Sequence, residues 1–268
     1  MNHTKQGSLN PQSILRSNSR IVILNTVIDT LTMEETVVLT DQYIAHKIPL
    51  HLVGMNADKI NKLNKDERFR QIVNNSGIVN ADGAAVVVAS KFLGQPLPER
   101  VAGIDLMQRL LELSEKKGYS IYLLGTKQEF VEKAADAIRK QFPQINIVGI
   151  HNGYFKEAEW NHISDQLKAV KPDLIFVGIN SPTKEYLVDF LQKAGNDGVF
   201  MGVGGSLDVV AGEILRAPKW MQKMGMEWLF RFIQEPRRLF KRYFVGNVVF
   251  ILAALKEKIG LLTKRKNA

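Results

Sequence analysis

Between Leu50 and Val203, short apolar runs alternate with segments whose apolar residues recur at helical spacing. The runs are Leu50 to Gly54, Ile78 to Asn80, Ser120 to Leu124, Asn146 to Ile150, Leu174 to Gly178 and Val199 to Val203. Between them the pattern predicts helices over 57–63, 128–142, 157–169 and 183–194, while 84–93 is an apolar stretch ending near Gly94. Upstream, RIVILN (20–25) reads as one more strand. It precedes a helix to Ala45 that starts with a capping box, Thr32 as N-cap and Glu35 three residues on. Strands that are apolar on both faces and separated by helices make a parallel sheet covered on both sides. The expected fold class is α/β, a Rossmann-like parallel sheet with helices on both faces.

Charge divides the chain. The net charge is +9, yet residues 215–268 carry thirteen Lys/Arg against Glu227, Glu235 and Glu257. The body is therefore nearly neutral and the C-terminal fifth strongly basic, which calls for an anionic partner such as nucleic acid, a phosphorylated ligand or anionic lipid. In this tail, Trp228, Leu229, Phe232 and Ile233 form one apolar helix face, and Leu239, Phe240, Tyr243 and Phe244 form another. Either face can cap the core or lie on a membrane surface with basic residues toward headgroups. The apolar stretch from Val245 to Leu255 contains Asn247 and stops at Lys256, well short of the ~20 residues a bilayer needs. Three segments are expected: a disordered polar tail at 1–19 without a secretory signal, an α/β catalytic domain at 20–214, and a basic amphipathic helical appendage at 215–268. Cysteine is absent, which excludes a disulfide scaffold and thiolate-ligated metals and suits a reducing compartment.

In open α/β sheets, ligands bind beyond the carboxyl ends of the strands. Those ends carry Gly54-Met55-Asn56, Ala81-Asp82-Gly83, Gly125-Thr126-Lys127, the stretch from Gly178 to Glu185, and Gly204-Gly205-Ser206-Leu207-Asp208. Asp82 is the best candidate for a reacting carboxylate, although an Asp-Gly pair also makes plain turns. Gly202-Val203-Gly204-Gly205 is an incomplete dinucleotide fingerprint, because Leu207 stands in the place of the third glycine. It reads more safely as a turn with N–H groups free to meet an anion. Walker A, HExxH, GxSxG and Asp-x-Asp are all missing. Arg231, Arg237, Arg238 and Arg242 are available for a diphosphate, since guanidinium forks suit phosphate oxygens. The same arginines also fit a solvated or lipid-facing helix.

Four stretches, in order, carry a resemblance: NADGAAVVVASKFLGQPLPERVAGIDL, VGINSPTKEYL, MGVGGSLDVVAGEILRAPKWMQ and GMEWLFRFIQEPRRLFKRY. Over about Arg20 to Arg242 the chain resembles the WecG/TagA/CpsF glycosyltransferases (glycosyltransferase family 26). The resemblance implies transfer of a sugar from a UDP-sugar to a polyprenyl-diphosphate-linked glycan, with inversion and without a metal, at the cytoplasmic face of the membrane. It implies products in teichoic acid, common antigen or exopolysaccharide synthesis, and no cofactor. It makes Asp82 the base and puts Arg100 near the diphosphate or acceptor. It puts Asn56 and Asp208 near the donor, and sets Arg231 and Arg238, with Lys241 or Arg242 beside them, over the UDP diphosphate. Two positions depart: Gly54 replaces a Thr, and Lys184 replaces a Gln. Both positions fall in the expected sugar and acceptor region, and Lys184, counted with Asp82 as catalytic, is expected to donate to a sugar or phosphate oxygen and, as a cation, to favour an anionic group.

The expected reaction is attack of an acceptor hydroxyl, deprotonated by Asp82, on the anomeric carbon opposite UDP. The expected partners are thus the UDP-sugar, the lipid-linked acceptor and an anionic membrane surface, with no nucleic acid. The apolar tail also suits a homo-oligomer interface. Two other readings stay open at this point: a NAD- or nucleotide-dependent α/β enzyme, and an inactive membrane-surface scaffold of a polysaccharide assembly complex.

Overall fold

The computed structural model describes residues 19–240 and 244–266, without the side chains of Lys223, Arg238 and residues 264–266. Residues 1–18 of the expected N-terminal tail, and Lys241 and Arg242, lie outside the described residues.

The chain opens with a hairpin of β1 (Arg20–Ile23) and β2 (Thr26–Asp29), an antiparallel pair separate from the main sheet. This corrects the single strand expected over 20–25. Leu24 and Asn25 turn the chain with φ of 49° and 62°. Two-residue hairpin turns need such left-handed residues, and Leu-Asn carries only half of the usual Asn-Gly signal. Buried Asp29 ties the hairpin down by accepting from Arg20 Nε at 2.8 Å and from the Val79 amide at 2.6 Å.

Next come α1 (Met33–Ala45), β3 (Leu50–Met55), α2 (Ala57–Leu63), α3 (Glu67–Asn74), β4 (Ile78–Ala81), α4 (Ala84–Leu93) and α5 (Gly103–Lys117). The Thr32 capping box forms as expected, with the Glu35 amide at 3.2 Å from Thr32 Oγ1 and the Thr32 amide at 2.8 Å from Glu35 Oε2. The helices α3 and α5 were not expected. The apolar stripe of α5 (Ile104, Met107, Leu110, Leu111) is buried, and left-handed Gly118 ends the helix.

The remainder of the body is β5 (Ser120–Gly125), α6 (Gln128–Gln141), β6 (Asn146–His151), α7 (Trp160–Val170), β7 (Leu174–Gly178), α8 (Thr183–Lys193), β8 (Val199–Gly202) and α9 (Ser206–Val210). Six parallel strands line up as β4-β3-β8-β7-β5-β6. Successive strand residues enter different cores. Leu52, Leu123, Phe176 and Met201 pack with α1, α5 and α6, while Val53, Leu124, Val177 and Phe200 face the helices on the other side. Burial on both faces explains why these strands read as unbroken apolar runs.

The tail forms α10 (Lys219–Lys223), α11 (Glu227–Gln234), α12 (Pro236–Phe240) and α13 (Gly246–Lys266). Its last helix returns to the body. Phe250 and Ala254 are buried in the same cluster as Ile23, Val53 and Val86. Asn61 Nδ2 donates to the Gly246 carbonyl at 2.7 Å, and Glu257 Oε2 accepts from the Leu24 amide at 2.9 Å. The opposite side of α13 leaves Val248, Ile251, Leu252, Leu255 and Ile259 exposed. Among the described residues, no helix is long and apolar enough to cross a membrane.

Candidate active site

Parallel strands bring all their carboxyl ends to one edge of the sheet, so the residues following them converge whatever their distance in sequence. Asp82 follows β4 and is partly exposed. Its own amide and that of Gly83 donate to the Met55 carbonyl at 2.9 and 3.0 Å, which locks the turn to the end of β3. Its Oδ1 accepts the Gly103 amide at 2.9 Å at the start of α5. One carboxylate oxygen is thereby fixed. A Cβ built on Gly54 would stand 3.1 Å from Asp82 Cβ, so the glycine leaves the carboxylate room.

Asn56 is the N-cap of α2, and its Oδ1 accepts the Lys59 amide at 3.1 Å. Arg100 donates through Nε to the Asp82 carbonyl at 2.6 Å and through Nη2 to Glu227 Oε2 at 3.0 Å. Glu227 Oε1 also faces Arg216 Nε at 3.4 Å, and Arg216 Nη2 donates to Asp105 at 2.8 Å. The sequence reading missed this role of Glu227. In the sequence it is one of three acids in a basic tail, and a carboxylate among so many cations is itself a signal.

The second pole of the cleft lies across the sheet. Gly204, at φ +53°, starts the turn after β8, and Asp208 in α9 accepts a short hydrogen bond from Thr126 Oγ1 at the end of β5. A Cβ on Gly205 would lie 3.5 Å from Asp208 Oδ2 and 3.9 Å from Arg231 Nη1. The tail thus delivers one guanidinium to the glycine turn. Of the other expected cations, Arg238 has only its backbone described, within α12, while Lys241 and Arg242 are outside the description.

Lys184 is buried between the poles. It stands 3.8 Å from Glu185 Oε1, which Lys59 Nζ approaches to 3.1 Å and Ser181 Oγ to 2.8 Å. Burial, reinforced by the Lys59 charge and opposed by Glu185 and Asp82, pulls the Lys184 ammonium down to about 8. Burial alone would raise the Glu185 carboxyl, but Lys59 and Lys184 reverse that and hold it at about 2. His51, buried beside the cluster, is pushed by desolvation to about 4 and stays neutral. Lys59 and His51 carried no motif, so only the fold joins them to Lys184. Among the described residues, no three His, Asp or Glu side chains group as metal ligands.

A model described as the glycosyl transferase WecG/TagA/CpsF family matches residues 21–264. The chain is 32% identical over 247 residues to a Staphylococcus aureus (strain MW2) protein named N-acetylglucosaminyldiphosphoundecaprenol N-acetyl-beta-D-mannosaminyltransferase, covering 91% of this chain and 96% of that relative. Proteins of the same name from strains NCTC 8325 / PS 47 and MRSA252 are 32% and 31% identical over the same coverage.

Proposed function

The chain belongs to the WecG/TagA/CpsF family of glycosyl transferases, and from that premise we propose an inverting, metal-independent transfer of a sugar from a UDP-sugar to a polyprenyl-diphosphate-linked glycan. The donor is a UDP-hexose, UDP-N-acetylmannosamine or its uronate. The relatives' name, an N-acetylmannosaminyltransferase acting on N-acetylglucosaminyldiphosphoundecaprenol, supports the acceptor class. The observation that carries the reading is the division of the strand-end cleft into two poles. A carboxylate fixed by the Gly103 amide stands at one, and a glycine turn under Arg231 at the other.

In this reading Asp82 takes the proton from the acceptor hydroxyl. The freed oxygen bonds to the anomeric carbon from the side away from UDP. The bond from that carbon to the phosphate oxygen breaks, and UDP leaves with the electron pair. Arg231 and its neighbours in the tail offset the charge growing on the diphosphate, a kind of stabilisation worth roughly 10²–10³ in rate per well-placed donor. Asn56 and Asp208 hold the donor, and Arg100 serves the acceptor side. The basic tail and the exposed stripe of α13 support peripheral association with the cytoplasmic face of the membrane, where each Lys or Arg near an anionic surface contributes on the order of 1 kcal/mol. The test is UDP release by the full-length protein given candidate UDP-sugars and an N-acetylglucosaminyl-diphosphoryl polyprenol. Absence of acceptor-dependent release across the panel overturns the reading.

A further inference from the structure

Among the described residues, the buried cation Lys184 has as its carboxylate partner only one that it shares with another ammonium. Lys184 is 3% exposed, and the carboxylate it approaches, at 3.8 Å, is Glu185. That oxygen already meets Lys59 Nζ and Ser181 Oγ, both closer. Lys59 has a further acceptor in the Gly54 carbonyl at 2.8 Å. Two ammonium groups therefore share one carboxylate, and Lys184 holds the weaker share. A buried charge without a hydrogen-bonded counterpart is costly to keep. The cost is visible in the burial-driven lowering of its pKa.

Its position identifies what would complete it. A Cβ on Gly202 would lie 2.6 Å from Lys184 Cε and 2.9 Å from Nζ, so the glycine makes room for the ammonium at the end of β8. In the sheet, β8 lies between β3 and β7. Gly54 of β3 adjoins Asp82 on one side, and Thr126, Asp208 and Arg231 gather on the other. The ammonium thus stands under the span between the base and the diphosphate pole, where the transferred ring has to lie.

We propose that Lys184 determines donor specificity by binding a carboxylate on the transferred sugar, so that the donor is a UDP-hexuronate. This rests on the UDP-sugar reading above. A neutral ring would offer the ammonium hydroxyl oxygens only, while a carboxylate gives the charge-assisted bond that Glu185 does not supply.

The test is equilibrium binding to the full-length protein of UDP and of matched pairs: UDP-glucose with UDP-glucuronate, UDP-galactose with UDP-galacturonate, and UDP-N-acetylmannosamine with its uronate. At least one acidic donor should bind roughly tenfold or more tighter than its neutral partner. Lys184→Gln should erase that difference while UDP alone still binds, which also shows the variant to be folded. Equal or weaker binding of the acid in every pair, or a preference that survives Lys184→Gln, overturns the proposal with the glycosyltransferase reading intact. Failure of wild-type protein to bind UDP at all removes that reading, and this inference with it.

Discussion

Glu227 in the tail meets Arg100 of the body at 3.0 Å, and Arg100 in turn holds the backbone carbonyl of Asp82 at 2.6 Å. The basic appendage is therefore bonded, through one carboxylate and one guanidinium, to the turn that carries the proposed base. Glu227 also faces Arg216, so its loss leaves two partly buried guanidinium groups short of a partner. Glu227→Gln should lower stability by about 2 kcal/mol, the scale of a hydrogen bond between charged groups, and reduce turnover more than UDP affinity. Thermal unfolding together with steady-state kinetics checks both. An unchanged melting temperature and unchanged kcat would show the contact to be idle.

Asp82→Asn keeps an oxygen for the Gly103 amide and removes the proton acceptor. Turnover should fall ~10²–10⁴-fold, the range for a general base, with UDP affinity preserved. A variant near the wild-type rate would assign the proton transfer elsewhere.

Arg231 is the described tail arginine that stands over the Gly205 turn. Arg231→Ala should weaken UDP binding by roughly ten- to a hundredfold, as expected for loss of one charge-assisted contact. Titration calorimetry with UDP is the measurement, and undiminished affinity would move the diphosphate to another part of the cleft.

Acid should destabilise the protein in two steps. His51 is held neutral, at about 4 against an ordinary 6.5, so only the unfolded chain takes up its proton as pH falls through that interval. Glu185 is held at about 2 against 4.5, so its contribution is present above 4.5 and is lost as pH falls toward 2. The Glu185 step amounts to about 3 kcal/mol. Urea melts from pH 7 to 3 should show stability falling throughout. In Glu185→Gln the slope below 4.5 should flatten, on a protein already less stable at pH 7. A slope unchanged by that substitution would place the acid-sensitive group elsewhere.

Removing the tail outright is not a clean test of membrane association, because Phe250 and Ala254 are part of the core and Glu257 bonds the Leu24 amide. Polar replacement of Leu252, Leu255 and Ile259, which face outward, leaves those contacts alone. The triple Asn variant should pellet markedly less with anionic vesicles and keep its melting temperature. Equal pelleting would exclude this face as the membrane contact.

Much of the fold was legible as pattern. A strand buried on both faces must be apolar throughout, and a covering helix must carry an apolar stripe, so Leu50–Met55, Ser120–Gly125 and Leu174–Gly178 announced the parallel sheet. The capping box at Thr32 and Glu35 was equally local. The hairpin at Leu24-Asn25 was not, because its turn puts a leucine at a positive φ that this residue type seldom adopts. Asp82 and Asp208 could be placed near strand ends because these are read directly from where the apolar runs stop.

What sequence alone determined, then, is everything set by neighbours along the chain: strand and helix periods, the basic tail, and the motifs that place the chain in its family. Only the tertiary structure decided which distant charges meet. Glu227 joins Arg100, Lys59 and Lys184 share Glu185, and Arg231 reaches the Gly205 turn. The reason is physical: a charge interacts through space and its strength depends on burial, and neither separation nor burial is a property of position along the chain.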